Sequence, residues 1–175
     1  FRSRMDDISG TNLVSYSGKP RFNQPTGVAI DSLGRIYVSD WVGIQQFSDM
    51  SGKGLVTYAA GTVRGLATDA SNRIYFGAGA GLNRMDDITG TNLVTYAAGV
   101  SQNIQGVQSI VVDPTGLIYV SQNAPSKVVR LKDMTGASPL QIGSAGTGLG
   151  QVDGQVQRRL PAQRGQQGVG PLDGD

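Results

Sequence analysis

The stretch Gly27–Tyr58, GVAIDSLGRIYVSDWVGIQQFSDMSGKGLVTY, returns twice in altered form downstream, and this repetition constrains the fold more than any other property of the chain. Asp31 and Asp69, Tyr37 and Tyr75, Gly52 and Gly90, and Tyr58 and Tyr96 stand 38 positions apart. In the third copy the offset grows, to 44 for Asp69 and Asp113 and to 46 for Gly90 and Gly136. The extra residues enter before Asp113 and between Tyr119 and Gly136, where the pattern predicts loops that tolerate insertion. Arg4–Tyr16 (RMDDISGTNLVSY) nearly duplicates Arg84–Tyr96 (RMDDITGTNLVTY), so it reads as the tail of an earlier unit that lacks its front half.

Each copy holds four short β-type runs separated by turn residues; in the first these are Gly27–Asp31, Arg35–Ser39, Gly43–Ser48 and Gly54–Tyr58. The first two runs are joined by Asp31-Ser32-Leu33-Gly34, Asp69-Ala70-Ser71-Asn72 and Asp113-Pro114-Thr115-Gly116. In such a turn the Asp accepts a backbone hydrogen bond, and Gly or Asn supplies the left-handed residue before the next strand. The last two runs are joined by Asp-(Ile/Met)-(Ser/Thr)-Gly turns at Asp7, Asp49, Asp87 and Asp133, whose apolar second residue is placed to plug the sheet end. The adjacent acids Asp6-Asp7 and Asp86-Asp87 belong to this turn and are read as turn chemistry in preference to a calcium site.

All six tyrosines keep the register. Tyr37, Tyr75 and Tyr119 fall in the second run, and Tyr16, Tyr58 and Tyr96 close the fourth. One aromatic pair per sheet suits packing between neighbouring sheets. Four-stranded antiparallel sheets repeating about every 40 residues predict an all-β protein, a β-propeller with one blade per repeat. The segment Pro25–Phe47 (PTGVAIDSLGRIYVSDWVGIQQF) resembles the NHL repeat family, and the likeness extends over about Asn12 to Ile142. It weakens in the second copy, where Ala78 stands for Asp40 and Asn72 for Gly34, and in the third, where Gln122 stands for Asp40. The expected organisation is a partial, open propeller. Residues 1–18 form the outer part of a truncated blade, and 19–61, 62–99 and 100–146 are three full blades. Residues 147–175 form an irregular tail rich in Gln and Gly. The codons of residues 165–168, read one base later, can spell a Lys-Val pair like Lys127-Val128, so the tail is also a candidate frame-shifted remnant of a further blade. The start at Phe1, with neither initiator Met nor signal peptide, reads as a fragment or a processed chain.

Composition narrows the chemistry. The 175 residues include no His, no Cys and no Glu; the 13 acids are all Asp. That excludes, within this chain, an imidazole base, a thiolate nucleophile and a zinc–thiolate site. Gluconolactonase-like propellers share the Asp-x-x-Gly-x-Ile-Tyr-Val look, but the family holds a divalent metal with Glu, Asn and Asp. Streptogramin-lyase-like propellers depend on His. The chain departs from both patterns. We therefore read it as non-enzymatic, with no catalytic residue, metal or cofactor, and keep a fragment of a gluconolactonase-like hydrolase as the alternative. The net charge of +2 is dispersed, which argues against nucleic acid despite the repeated position of Arg4, Arg84 and Arg130. The apolar runs are too short to span a membrane. The compartment stays open, an extracytoplasmic one being compatible with the resemblance.

Strand alternation assigns the loops to two sides. The repeated Asp turns lie on one; the second-to-third and blade-to-blade connections, which vary in sequence, lie on the other. Variable loops on a rigid scaffold are where recognition concentrates. The candidate contacts for a protein or small ligand are Lys19, Arg21, Phe22, Asn23, Asp40, Trp41, Gln102, Asn103, Gln122, Asn123 and Lys127; Trp41, the sole Trp, is read first as packing against the neighbouring blade and alternatively as an anchor for the partner.

Overall fold

The structure, a computed structural model, describes residues 2–4, 13–16, 21–79, 81–96, 104–123, 126–136 and 139–143. Its elements are all strands. A two-stranded sheet pairs β1 (Arg2–Arg4) with β2 (Val14–Tyr16). The first blade comprises β3 (Gly27–Ile30), β4 (Ile36–Ser39), β5 (Gly43–Phe47) and β6 (Val56–Ala59). The second comprises β7 (Val63–Thr68), β8 (Ile74–Ala78), β9 (Gly81–Met85) and β10 (Val94–Thr95). The third comprises β11 (Val107–Val112), β12 (Ile118–Asn123), β13 (Ser126–Leu131) and β14 (Leu140–Ile142). Each blade is a four-stranded antiparallel meander in chain order. The three predicted sheets are present. The N-terminal unit is a strand pair, β1 and β2, running from Arg2 opposite Tyr16 to Arg4 opposite Val14. The irregular tail lies outside the described residues.

The blades stack face to face on two apolar layers. Tyr37 and Ile44 of the first blade meet Val63, Leu66, Ile74, Phe76 and Met85 of the second. Ala67, Tyr75, Leu82 and Tyr96 of the second meet Ile110, Ile118, Val120 and Leu131 of the third. The turn residues Ile88 and Met134 are buried at the sheet ends, as the plug reading requires, whereas Met50 of the first blade is only half-buried. Tyr119 holds the same place in the third blade but is only half-buried, and Val111, Leu140 and Ile142 nearby are more than half exposed.

The tyrosines also hydrogen-bond, which packing alone does not require. Asp31 accepts from the Leu33 and Arg35 amides through Oδ1 (3.0 and 2.9 Å) and from Arg35 Nε and the Tyr37 hydroxyl through Oδ2 (2.6 and 3.0 Å). Asp69 repeats the pattern with Ser71, Arg73 and Tyr75. Burial pushes both carboxyls up, but the bonds from Arg35 or Arg73 and from the tyrosine outweigh it and hold them below their ordinary 3.8. Burial and the same bond push the Tyr37 and Tyr75 phenols up to about 12. The sign follows from linkage. Depressed carboxyls stabilise the fold above the ordinary carboxylate range, and that contribution is lost as the pH falls below it. Raised phenols contribute below their ordinary 10.0, and that contribution is lost as the pH rises from there toward about 12. Urea midpoints measured across pH should therefore form a plateau that falls away at both ends, and Tyr37→Phe with Tyr75→Phe should remove much of the alkaline fall.

Left-handed residues close the first turn of every blade, with φ of 76° at Gly34, 62° at Asn72 and 88° at Gly116. A Cβ at Gly34 or Gly116 meets nothing within 4 Å, so only backbone strain opposes a side chain there. Gly34→Val or Gly116→Val is expected to cost about 1–2 kcal/mol by thermal or urea denaturation. Asn72 does more than tolerate its φ. Its Oδ1 accepts the Ser32 amide (3.0 Å) and hydroxyl (2.7 Å) of the first blade. A Gly at this position would keep the φ but lose both inter-blade bonds.

Candidate ligand-binding face

The two sides differ in how their polar groups are used. On the turn side, Asp49, Asp87 and Asp133 each accept the amide two residues ahead, at 2.7, 2.8 and 2.8 Å, and Thr89 and Thr135 add their hydroxyls to Asp87 and Asp133. Hydrogen bonds from the Thr89 and Thr91 hydroxyls push the Asp87 carboxyl down to about 2. Its neighbour Asp86 accepts from Asn92 Nδ2 at 2.7 Å, so this acid pair serves its own turn. Among the described residues no group of acids is placed to hold a metal ion.

On the loop side the first blade gathers Asn23, Asp40 and Trp41. Asp40 is fully buried. It accepts the Asn23, Val42 and Gly43 amides (3.1, 2.8 and 3.1 Å) and Gln45 Nε2 (3.1 Å), while its carbonyl accepts the Val63 amide at 2.9 Å. As a partner contact Asp40 is thus a misreading, because its carboxylate is spent on shaping the loop and tying it to the second blade. Gln122, at the equivalent position of the third blade, is also buried, donating from Nε2 to the Gln105 carbonyl at 2.6 Å, and it too supports the loop from within.

What that scaffold presents is exposed. Trp41 is 44% and Val42 49% exposed, so the indole is not consumed by packing on the neighbouring blade. Arg21, Asn23 and Asn123 are exposed as well. Phe22 is half-buried with its ring edge-on to Phe47 at 5.8 Å, and half-buried Lys127 donates to Gln141 Oε1 at 3.1 Å. Lys19, Gln102 and Asn103 lie outside the described residues.

A cavity of about 450 Å³ opens on this side between the second and third blades. Its cause is written in the repeat. Where the first blade has Ser39-Asp40-Trp41 and the third Ser121-Gln122-Asn123, the second has Gly77-Ala78-Gly79, and Gly79, with nothing within 4 Å of its Cβ direction, leaves open the space that Trp41 and Asn123 would take. Thr62, Arg64, Gln108 and Asn123 supply its polar wall. Only Asn123 of these was a sequence candidate. Arg64 and Gln108 sit in strands and carry no loop signal.

The family model for the NHL repeat matches residues 22–43. The fold is that of a partial, open β-propeller whose first blade carries an NHL-like segment. Among solved structures, the chain is similar to virginiamycin B lyase from Staphylococcus aureus in complex with quinupristin (13% identity, TM-score 0.60, covering 80% of this chain and 47% of the lyase). It is also similar to a streptogramin B lyase (18% identity, TM-score 0.59, covering 80% and 46%). The extracellular domain of a hybrid two-component system from B. thetaiotaomicron aligns at 15% identity with TM-score 0.54, covering 74% of this chain and 18% of that one. The chain thus spans less than half the length of the lyases it matches. No curated protein matches its sequence.

Proposed function

We propose that this part of the propeller is a non-enzymatic binding module that recognises its partner on the variable-loop side. The observation that carries this reading is the contrast between the two sides. One is occupied by turns whose acids are bonded within themselves, and the other exposes Trp41 and Val42 and holds a cavity lined in part by exposed Asn123. Exposed aromatic groups held by a rigid loop are common anchors of binding energy. An extracytoplasmic setting is supported by the extracellular propeller among the neighbours.

Photo-crosslinking amino acids placed at Asn23 and Asn123, and separately at Ser51 and Thr115 on the turn side, test the assignment in extracts of cells that make the protein. Adducts are expected from the first pair, and Trp41→Ala should abolish them while the melting temperature is unchanged. Adducts from Ser51 and Thr115 alone would place recognition on the wrong side. The competing reading, a piece of a gluconolactonase-like hydrolase, puts the metal ligands in the remainder of the ring, and a lactone-hydrolysis assay on the complete ring separates the two.

A further inference from the structure

The cavity between the second and third blades is shaped by a second device, independent of the missing side chains. The innermost strands of both bordering blades carry a register shift at the cavity, between Arg64 and Leu66 in β7 and between Val107 and Ser109 in β11. A bulge inserts an extra residue and re-aims neighbouring side chains. Gly65 fits its bulge at φ 61°, with the third blade so close that a Cβ would lie 3.1 Å from Ser109 Cα. The two bulges place Arg64 and Gln108 in the wall of the same cavity, one from each blade.

The chemistry of that wall has one sign. Arg64 is the sole charged lining residue, and it is exposed. Among the described residues it forms no ion pair, whereas Arg35, Arg73 and Arg84 each face an Asp of their own blade. The other polar groups, Thr62, Gln108 and Asn123, are neutral hydroxyl and carboxamide groups. The Gly79 position leaves the backbone of the loop after β8 open to close approach, as nothing stands within 4 Å of its Cβ direction. A guanidinium presents parallel N–H donors that match a carboxylate in bidentate fashion, and a cavity of this size suits a small molecule.

We propose that this cavity binds a small organic carboxylate, with Arg64 pairing with its charge and Thr62, Gln108 and Asn123 bonding to its polar substituents. The proposal rests on the binding-side assignment above and gives that side a ligand class.

The test is an amide NMR titration of the full chain with benzoate and succinate, using benzamide and succinamide as uncharged counterparts and inorganic phosphate as an anion of different shape. The carboxylates are expected to shift the Gly77, Gly79, Gly106 and Asn123 amides in a saturable way, and the amides to leave them unmoved. Arg64→Gln should weaken carboxylate binding at least tenfold, Arg64→Lys should retain part of it, and Lys53→Gln on the turn side should change nothing. Phosphate binding as tightly as the carboxylates would overturn the carboxylate assignment. Saturable binding that survives Arg64→Gln, or no saturable shift in a chain with the dispersed spectrum of a folded sheet, would overturn the site. In either event the Asn23 and Asn123 crosslinks decide the binding side separately.

Discussion

Gly77→Ala is expected to destabilise the chain by about 3 kcal/mol, near the upper end of what a single overpacked methyl costs. A Cβ at this position would lie 2.6 Å from Cβ and Cγ1 of Val107 and 2.5 Å from the Arg64 carbonyl. The backbone oxygen belongs to the paired strand β7 and has little freedom to retreat, while Val107 is the buried first residue of β11 in the third blade. The added methyl therefore wedges the two blades apart at the cavity floor. Urea denaturation followed by far-ultraviolet circular dichroism measures the loss. Val107→Ala in the same chain should recover part of it, because it withdraws the γ-methyls from the contact. A Gly77→Ala chain as stable as the parent would show that the blades are not in such close contact there.

Asp40→Ala is expected to cost about 3 kcal/mol, because three backbone amides and the Gln45 side chain lose their acceptor inside the fold and each unsatisfied buried donor costs about 1–3 kcal/mol without strict additivity. Asp40→Asn should cost less. Its carboxamide oxygen can keep the Val42 and Gly43 amides, and its new Nδ2 can donate to Gln45 Oε1, which is buried without a partner in the present chain, if Gln45 rotates its amide. Trp41 is adjacent and is the sole tryptophan, so its fluorescence reports the loop directly. The alanine variant should expose the indole further before the main unfolding transition, and the asparagine variant should not.

Most of the architecture was legible because the repeat states it three times. Asp31, Asp69 and Asp113, with Gly34, Asn72 and Gly116, fix the first turn of each sheet by local chemistry, and local chemistry is what a sequence displays. Tyr37, Tyr58, Tyr75 and Tyr96 pack between sheets as expected, but the bonds from Tyr37 and Tyr75 to Asp31 and Asp69 were not anticipated. They join residues six positions apart across a turn, a distance set by the hairpin and by no motif. The binding side suffered more. Exposure cannot be inferred from loop position when a loop must also satisfy its own amides, so Asp40 and Gln122 were counted as contacts although they are interior supports. Arg64 and Gln108 went unnoticed for the opposite reason: each lies in a strand, and the bulge that places it at the cavity depends on how one strand pairs with the next.

The blades pack in a row, the first against the second and the second against the third. A stack of this kind opens from its ends inward, since an outer sheet detaches by giving up one apolar layer and the middle sheet must give up two. Amide hydrogen exchange in β8 and β9 should accordingly be the slowest in the molecule, with β14 and its exposed Leu140 and Ile142 among the fastest. The cavity lies on the seam between the middle sheet and an end sheet, so a molecule seated in it would bridge two units that otherwise open separately. Its occupancy would then be felt as cooperativity along the row, with the third blade's exchange slowing toward that of the second.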